Sequence, residues 1–143
     1  MGPGSWTELF FLDEATALAA GHRPCFFCRR ADAVAFRVAW AAGGPVPSAD
    51  EMDRVLHAER LAGRVKRTHP VDRPVSELPT GAMVAVGTAS FVIVEGRSWR
   101  WSACGYVAAA VAGDAVLLTP PSTLRALEGG YRPVVDGSAG RQA

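Results

Sequence analysis

Residues 82–102 read AMVAVGTASFVIVEGRSWRWS, and this stretch decides which fold the sequence predicts. Three short runs of β-branched or aromatic residues are separated by the turn-forming segments GTA and EGR. Short runs joined by tight turns predict an antiparallel meander of hairpins. A further run, AVLLT at 115–119, predicts another strand, which Pro120 and Pro121 end.

The sequence before this stretch has helical periodicity instead. Asp13 is a suitable N-cap for a short helix that ends at Gly21. Apolar residues at helical spacing predict a second helix over about 31–42. Ser48 and Glu51 have the spacing of a capping box, which predicts the start of a third helix.

These patterns predict a single α+β domain over residues 1–143. A helical N-terminal part with a Cys-x-x-Cys knuckle covers about 1–63, and a small antiparallel β-meander or partial barrel covers 74–120. A short C-terminal helix and a loose tail cover 121–143. The apolar fraction is 49% and the charged fraction 20%, which is typical of a globular chain and excludes a disordered one.

Overall charge does not indicate a nucleic-acid-binding protein. The sequence contains fifteen Lys and Arg residues and fourteen Asp and Glu residues, so the formal net charge is +1. Nucleic-acid-binding domains are usually much more basic. Any phosphate-binding surface must therefore come from local clusters of arginine, whose forked donors suit phosphates and carboxylates.

The sequence predicts a cytoplasmic protein without a membrane segment. The N-terminus MGPGSWTELFFLDEA has no positively charged region before its short apolar run, unlike a signal peptide. The longest apolar stretch, residues 105–121, is broken by Asp114 and ends in two prolines, so it is too interrupted to span a bilayer. In a reducing compartment, a Cys-x-x-Cys pair is more typical of metal binding or catalysis than of a structural disulfide.

Two segments of the chain have related sequences. Residues 13–24 read DEATALAAGHRP, and residues 122–133 read STLRALEGGYRP. Each contains a cap residue, an Ala–Leu pair, a terminating Gly and an aromatic ring before Arg-Pro. One interpretation is that the same helix-ending signal occurs twice. The alternative is a pseudo-symmetric pair of helix ends that presents Arg23 and Arg132.

The segment ALAAGHRPCFFCRR, residues 17–30, carries the main candidate site. Cys25 and Cys28 have the spacing that places two thiolates on one side of a turn, as a tetrahedral zinc ion requires. Neighbouring arginines and the start of the next helix favour the thiolate form. These features also suit a redox pair, but a thioredoxin-like motif directly follows a strand, and here a helix precedes it.

Residues 8–30 resemble the second half of the metal-binding domain of Ada-type DNA alkylation-repair proteins. An aromatic stretch, a short Ala-rich helix and a segment of the form G-(aromatic)-R-P-C-x-x-C-R occur in the same order. The resemblance implies zinc binding by Cys25 and Cys28. The family's first cysteine pair lies upstream of the aromatic stretch, where this chain has no cysteine. Because that pair contains the methyl acceptor, the resemblance implies zinc binding without methyl-acceptor activity.

Further zinc ligands must come from elsewhere in the chain. His22, three residues before Cys25, is the third candidate, although it occupies the family's aromatic position. The remaining candidates are His57, His69 and Cys104. For His22 the alternative is a packed or hydrogen-bonded histidine at a helix end. For Cys104 it is a small buried residue at a strand end.

Residues 54–73, RVLHAERLAGRVKRTHPVDR, form a basic segment that contains six of the fifteen Lys and Arg residues. Its histidines, His57 and His69, titrate near neutral pH and are candidates for the catalytic acid and base of a hydrolase or nuclease that acts on a phosphate-containing substrate. The alternative is a solvated helix end whose cations complement the helix dipole.

Trp99 and Trp101 face the same side of the strand predicted over RSWRWS. Two tryptophans on one face are expected either in the core or as a stacking platform for an unpaired base, with Arg97 beside them.

Taken together, the sequence predicts a small zinc protein that contacts DNA, RNA or another phosphate-bearing partner. The alternatives are the hydrolase and a protein-interaction module in which the cysteines are structural. The predicted phosphate-binding residues are Arg23, Arg29, Arg30, Arg60, Lys66, Arg67, Trp99 and Trp101.

Overall fold

The computed structural model describes residues 12–140, and it confirms the α+β class. Three helices come first, then short strands, then a last helix. The helices are α1 (Glu14–Ala19), α2 (Arg30–Ala41), α3 (Ala49–Arg60) and α4 (Pro121–Glu128), and a 3-10 turn covers Val75–Glu77. The strands are β1 (Leu61–Ala62), β2 (Val65–Lys66), β3 (His69–Pro70), β4 (Met83–Val86), β5 (Ala89–Val94), β6 (Arg97–Ser102), β7 (Gly105–Ala108) and β8 (Val116–Leu117).

The strands form one antiparallel six-stranded sheet and a separate two-stranded hairpin. The order in the large sheet is β3-β8-β4-β5-β6-β7, and β1 pairs only with β2. Strands β4 to β6 form the meander that residues 82–102 predict, and β7 extends it by one more hairpin. Val92 on β5 stands opposite Met83 on one side and Trp99 on the other.

Two helices begin with the capping boxes that satisfy their first amide groups. The Asp13 carboxylate accepts a hydrogen bond from the Thr16 amide at 2.9 Å, and the Thr16 hydroxyl oxygen accepts one from the Asp13 amide at 3.2 Å. At α3, the Ser48 hydroxyl accepts from the Glu51 amide at 3.1 Å, and the Glu51 carboxylate accepts from the Ser48 amide at 2.9 Å. Both helix starts are where the sequence predicts them.

The two related segments end their helices in the same way. After α1, the amides of Gly21 and His22 donate to the carbonyls of Leu18 and Ala17. After α4, the amides of Gly130 and Tyr131 donate to the carbonyls of Leu127 and Ala126. Gly21 and Gly130 both have positive φ, +93° and +107°. The repeated sequence is therefore the same helix-ending signal used twice.

The sheet has a hydrophobic cluster on each face, because successive side chains of a strand point to opposite sides. Phe91 and Ile93 belong to the cluster shared with α2, α3 and α4. Val92, between them, belongs to the cluster shared with α1. Helix α2 packs against α4 within the first cluster, where Phe36 and Tyr131 meet edge to face at 5.1 Å between ring centroids.

The C-terminal segment is held by hydrogen bonds to the start of α1 and to β7 as far as Ser138. The Asp13 carboxylate accepts from the Asp136 amide at 2.8 Å, and the Glu14 carboxylate accepts from the Val134 amide at 2.8 Å. The Ser138 hydroxyl accepts from the Tyr106 amide at 2.8 Å. The prediction of a loose tail is therefore wrong for 136–138, because long-range hydrogen bonds hold these residues.

Candidate metal site and basic surface

The two cysteines lie in the loop between α1 and α2. The positive φ of Gly21 ends α1 and redirects the chain, and Pro24 is buried where the loop turns back. A turn follows over 26–28, in which the Arg29 amide donates to the Cys25 carbonyl at 2.9 Å, one residue before α2 begins. Both thiols are exposed on this turn.

The backbone of the turn favours ionisation of one thiol over the other. The Cys28 amide donates to Cys25 Sγ at 3.4 Å. Hydrogen bonds from the Cys28 and Phe27 amides lower the pKa of Cys25, and the Arg23 charge adds to this effect. The pKa of Cys28 is raised, first by its hydrogen bond with the Cys25 thiol and then by the charge on Cys25. Cys25 is therefore the more acidic of the two.

The pair fits half of a tetrahedral zinc site, which needs four ligands. Among residues 12–140, no three His, Cys, Asp or Glu side chains converge in a way that could hold a metal ion. The structure therefore does not bring His22 to the two thiols as a third ligand. His22 lies near Arg60 instead, and its pKa is lowered by partial burial and then by that positive charge. Cys104 is exposed in the turn between β6 and β7, not buried.

The two phenylalanines between the cysteines have opposite roles. Phe26 is half-buried, with the guanidinium groups of Arg23 and Arg37 at 5.4 and 5.0 Å from its ring centroid. These contacts anchor the loop through cation–π attraction. Phe27 is 98% exposed. The loop therefore presents an aromatic ring and two thiols to solvent.

Two of the arginines predicted to bind phosphate already have carboxylate partners. Arg23 holds Asp53 through two hydrogen bonds, at 2.7 and 3.0 Å. Arg29 pairs with Asp32 at 2.7 Å and with Glu14 at 3.1 Å, and its pKa is raised, chiefly by the hydrogen bond with Glu14. These two side chains hold the loop in place.

Arg30, at the first position of α2, differs from its two neighbours. It is exposed, and no ion pair in the described part of the chain involves it. Its guanidinium group therefore stays available beside the cysteine turn.

Glu14 is a central residue of this region that the sequence analysis did not single out. Its side chain is only 6% exposed and accepts hydrogen bonds from the Tyr131 hydroxyl and the Val134 amide, besides its ion pair with Arg29. It lines a cleft of about 230 Å³ with His22, Arg23 and Arg29. Its partners from the C-terminal segment are more than a hundred residues away, so no local pattern identified it.

The second predicted basic cluster lies where α3 ends and β2 begins. Lys66 Nζ donates to the carbonyls of Ala19, at 2.5 Å, and Leu118, at 3.3 Å. Burial, and then the Arg60 charge, lower the pKa of Lys66 to about 8. Arg67 donates to the Ala58 carbonyl at 3.0 Å. No carboxylate within residues 12–140 forms an ion pair with these three cations.

His57 and His69 occupy different surroundings. His57 is exposed on α3 and lines a shallow groove with Asp50, Asp53 and Arg54. His69 is half-buried, with Nε2 at 2.9 Å from the Glu59 carbonyl oxygen. None of these contacts joins the two histidines in one pocket.

The two tryptophans belong mainly to the core. Trp99 is 3% exposed and packs in the cluster between the sheet and α1. Trp101 is partly buried against the same cluster. Trp99 therefore lies in the core, which is one of the two expectations for this pair. Its ring is not accessible to an unpaired base.

Comparison with known proteins assigns neither a family nor a function to this chain. No protein-family model, no curated protein and no solved structure matches the chain. The Ada-like resemblance stays a prediction from the sequence, and residues 8–11 of that segment lie outside the described residues. Within the described range, every helix is too short or too polar to cross a bilayer.

Proposed function

We propose that this chain is a zinc-binding domain in which the thiolates of Cys25 and Cys28 hold the metal. The observation that carries the proposal is the exposed turn in which the Cys28 amide points at Cys25 Sγ. An amide donor stabilises a thiolate, which is the form that binds zinc. In a reducing cytoplasm the two sulfurs remain available to a metal.

Redox exchange is less well supported by the same loop. The cysteines lie between the end of α1 and the start of α2, and the strand that precedes the thiols in a thioredoxin-like arrangement is absent from the described segment 12–24. Two thiolates on one side of a turn are half of a tetrahedral zinc site, and the loop presents such a pair.

Metal analysis of the purified protein tests the zinc proposal. We expect bound zinc in the native chain, and loss of most of it in Cys25→Ser and in Cys28→Ser. Cys104→Ser is the matched control, because this third exposed cysteine lies in the β6–β7 turn. A native protein without bound zinc, or equal loss in all three variants, would refute the proposal.

We also propose that a phosphate-bearing partner, such as DNA or RNA, contacts the basic residues around α3 and β2. Arg60 and Arg67 have no carboxylate partners among residues 12–140. Burial, and then the Arg60 charge, lower the pKa of both His22 and Lys66. Lys66 Nζ is bound to two carbonyl groups, so it adds positive charge to this surface and not a direct contact. Positive groups that repel one another in this way favour the binding of an anion. Arg30 adds a further available cation.

Binding of single-stranded and duplex DNA across a salt series tests this second proposal. We expect Arg30→Ala and Arg67→Ala each to weaken binding and to lower the salt slope by about 0.9 for each lost phosphate contact. Arg100→Ala, at an exposed position on β6, should leave binding unchanged. Absence of binding at low salt, or an equal loss in Arg100→Ala, would contradict it.

No comparable observation favours the hydrolase. His57 and His69 contact different groups, and the Glu59 carboxylate binds the Ser122 amide and hydroxyl at 3.0 and 2.7 Å. The Glu59 carboxylate therefore caps α4, and it orients neither histidine.

A further inference from the structure

Within residues 12–140, the candidate zinc site has two of the four ligands that it needs. Zinc in a structural site takes four ligands, and the turn supplies two. No third His, Cys, Asp or Glu converges with them among residues 12–140. A second copy of the chain, with the same exposed pair of cysteines, is able to supply the other two.

We propose that two copies of this chain share one zinc ion, each contributing Cys25 and Cys28, so that the metal bridges a symmetric dimer. This inference rests on the proposed zinc site. A two-fold axis through the metal would give both copies the same contacts, since each presents the same pair of ligands to the other. The result is a closed tetrahedral site of four sulfurs.

The exposure of the turn allows this approach. Both cysteines are exposed, and Phe27 between them is 98% exposed, so neither sulfur lies at the bottom of a cavity. An aromatic ring this exposed leaves its full apolar surface in water. In the bridged dimer, each Phe27 ring is covered by the facing loop, and this contact favours association.

Charge also supports a second copy as the partner. Four thiolates around one zinc ion leave two negative charges in excess. Each copy brings one Arg30 beside the turn, and this arginine has no ion-pair partner among the described residues. Two copies thus supply two guanidinium groups, which offset the charge of the cluster.

The protein contact between the two loops is too small to form a stable dimer without the metal. The exposed apolar surface of the turn consists mainly of one phenylalanine ring, whereas stable interfaces bury roughly 1,200 Å² or more. We therefore expect the metal-free protein to be a monomer and the dimer to form only with zinc.

Zinc titration of the metal-free chain, followed by analytical ultracentrifugation and metal analysis, tests this inference. We expect the mass to double with about one zinc ion per two chains, and EDTA to restore the monomer. The double variant Cys25→Ser/Cys28→Ser should remain monomeric at every zinc concentration. Its circular dichroism should match that of the native chain, because both positions are exposed.

Two single variants test the loop contacts without removing ligands. We expect Phe27→Ser and Arg30→Glu each to raise the zinc-dependent dimer dissociation constant by roughly tenfold or more. Val107→Ser, at a 66% exposed position on the edge strand β7, is the control and should leave the constant unchanged.

The remaining outcomes separate the two proposals. A zinc-loaded monomer with one ion per chain would overturn the shared site and leave zinc binding intact. A chain that binds no zinc would overturn both. A dimer that forms equally with and without zinc, or in the double cysteine variant, would overturn the bridge.

Discussion

At the scale of single residues, the acidic pair that begins α1 does more than start a helix. Asp13 caps α1 and also binds the Tyr106 hydroxyl and the Asp136 amide. Glu14, the next residue, joins Arg29 of the cysteine loop to Tyr131 and Val134 of the C-terminal segment. The position of the candidate site therefore depends on one buried carboxylate.

Glu14→Gln should lower the free energy of unfolding by about 2 kcal/mol, because it removes a charged acceptor from Arg29 and from two further donors. Asp72→Asn is the control, since Asp72 pairs with Arg73 but its side chain is 74% exposed. That variant should lose much less stability, because solvent screens an exposed ion pair. Urea denaturation measures both, and equal losses would contradict the role given to Glu14.

Lys66 should make stability depend on pH in the alkaline range. Its pKa is lowered to about 8 in the folded protein, against about 10.4 in an unfolded chain. Between these values the unfolded state binds more protons, so the free energy of unfolding rises with pH in this window. Below pH 8 the cost of burying the charge is fully present.

Comparison with Lys66→Met isolates this effect, because Lys66 is the only lysine in the sequence. We expect the stability difference, native minus variant, to increase between about pH 8 and pH 10. Urea denaturation across this range measures the difference. A difference that does not change with pH would show that Lys66 titrates as it does in the unfolded chain.

At the scale of secondary-structure elements, side chains from α3 organise the start of α4. The amides at a helix start need acceptors, and Pro120 precedes α4 without supplying a side-chain cap. Glu59 supplies one instead, accepting from the Ser122 amide and hydroxyl. This contact joins two helices that the sequence separates by sixty residues.

Glu59→Ala should therefore destabilise the protein by about 1–2 kcal/mol, the usual cost of losing a helix cap. Glu77→Ala is the matched control, because Glu77 is exposed in the 3-10 turn. It should change stability by less than about 0.5 kcal/mol. Thermal or urea unfolding that gives the same result for both variants would refute the capping role.

The sequence predicts the elements that depend on interactions between neighbouring residues, but not the pairing of segments that lie far apart in the chain. The hairpins of 82–102, the N-cap at Asp13 and the capping box at Ser48 depend on neighbouring residues, and the structure confirms them. The pairing of β8 with both β3 and β4 joins distant segments, and no local pattern predicts it. Long-range hydrogen bonds also hold residues 136–138, and the sequence predicts a loose tail there because no local pattern indicates these bonds.

At the scale of the whole molecule, the same distinction applies to the candidate site. The Cys-x-x-Cys spacing predicts the exposed pair, because that geometry is local. The carboxylate partners of Arg23 and Arg29 are only partly local, since Asp53 is thirty residues from Arg23 and Glu14 is fifteen from Arg29. The sequence places these arginines beside the cysteines, but it does not show that the guanidinium groups of Arg23 and Arg29 are already paired with carboxylates.

The fold gives the cysteine loop a fixed position at the surface while the core forms elsewhere. Both hydrophobic clusters lie against the sheet, and neither includes Cys25 or Cys28. We therefore expect removal of zinc to leave the fold intact and to change the association state alone, in contrast to small zinc domains that unfold without metal.

X-ray absorption at the zinc edge of the purified protein tests the central claim most directly. If Cys25 and Cys28 hold the metal, the spectrum will show sulfur ligands at about 2.3 Å, four of them when two copies share the ion. A shell of oxygen and nitrogen at about 2.0–2.2 Å without sulfur would contradict the account.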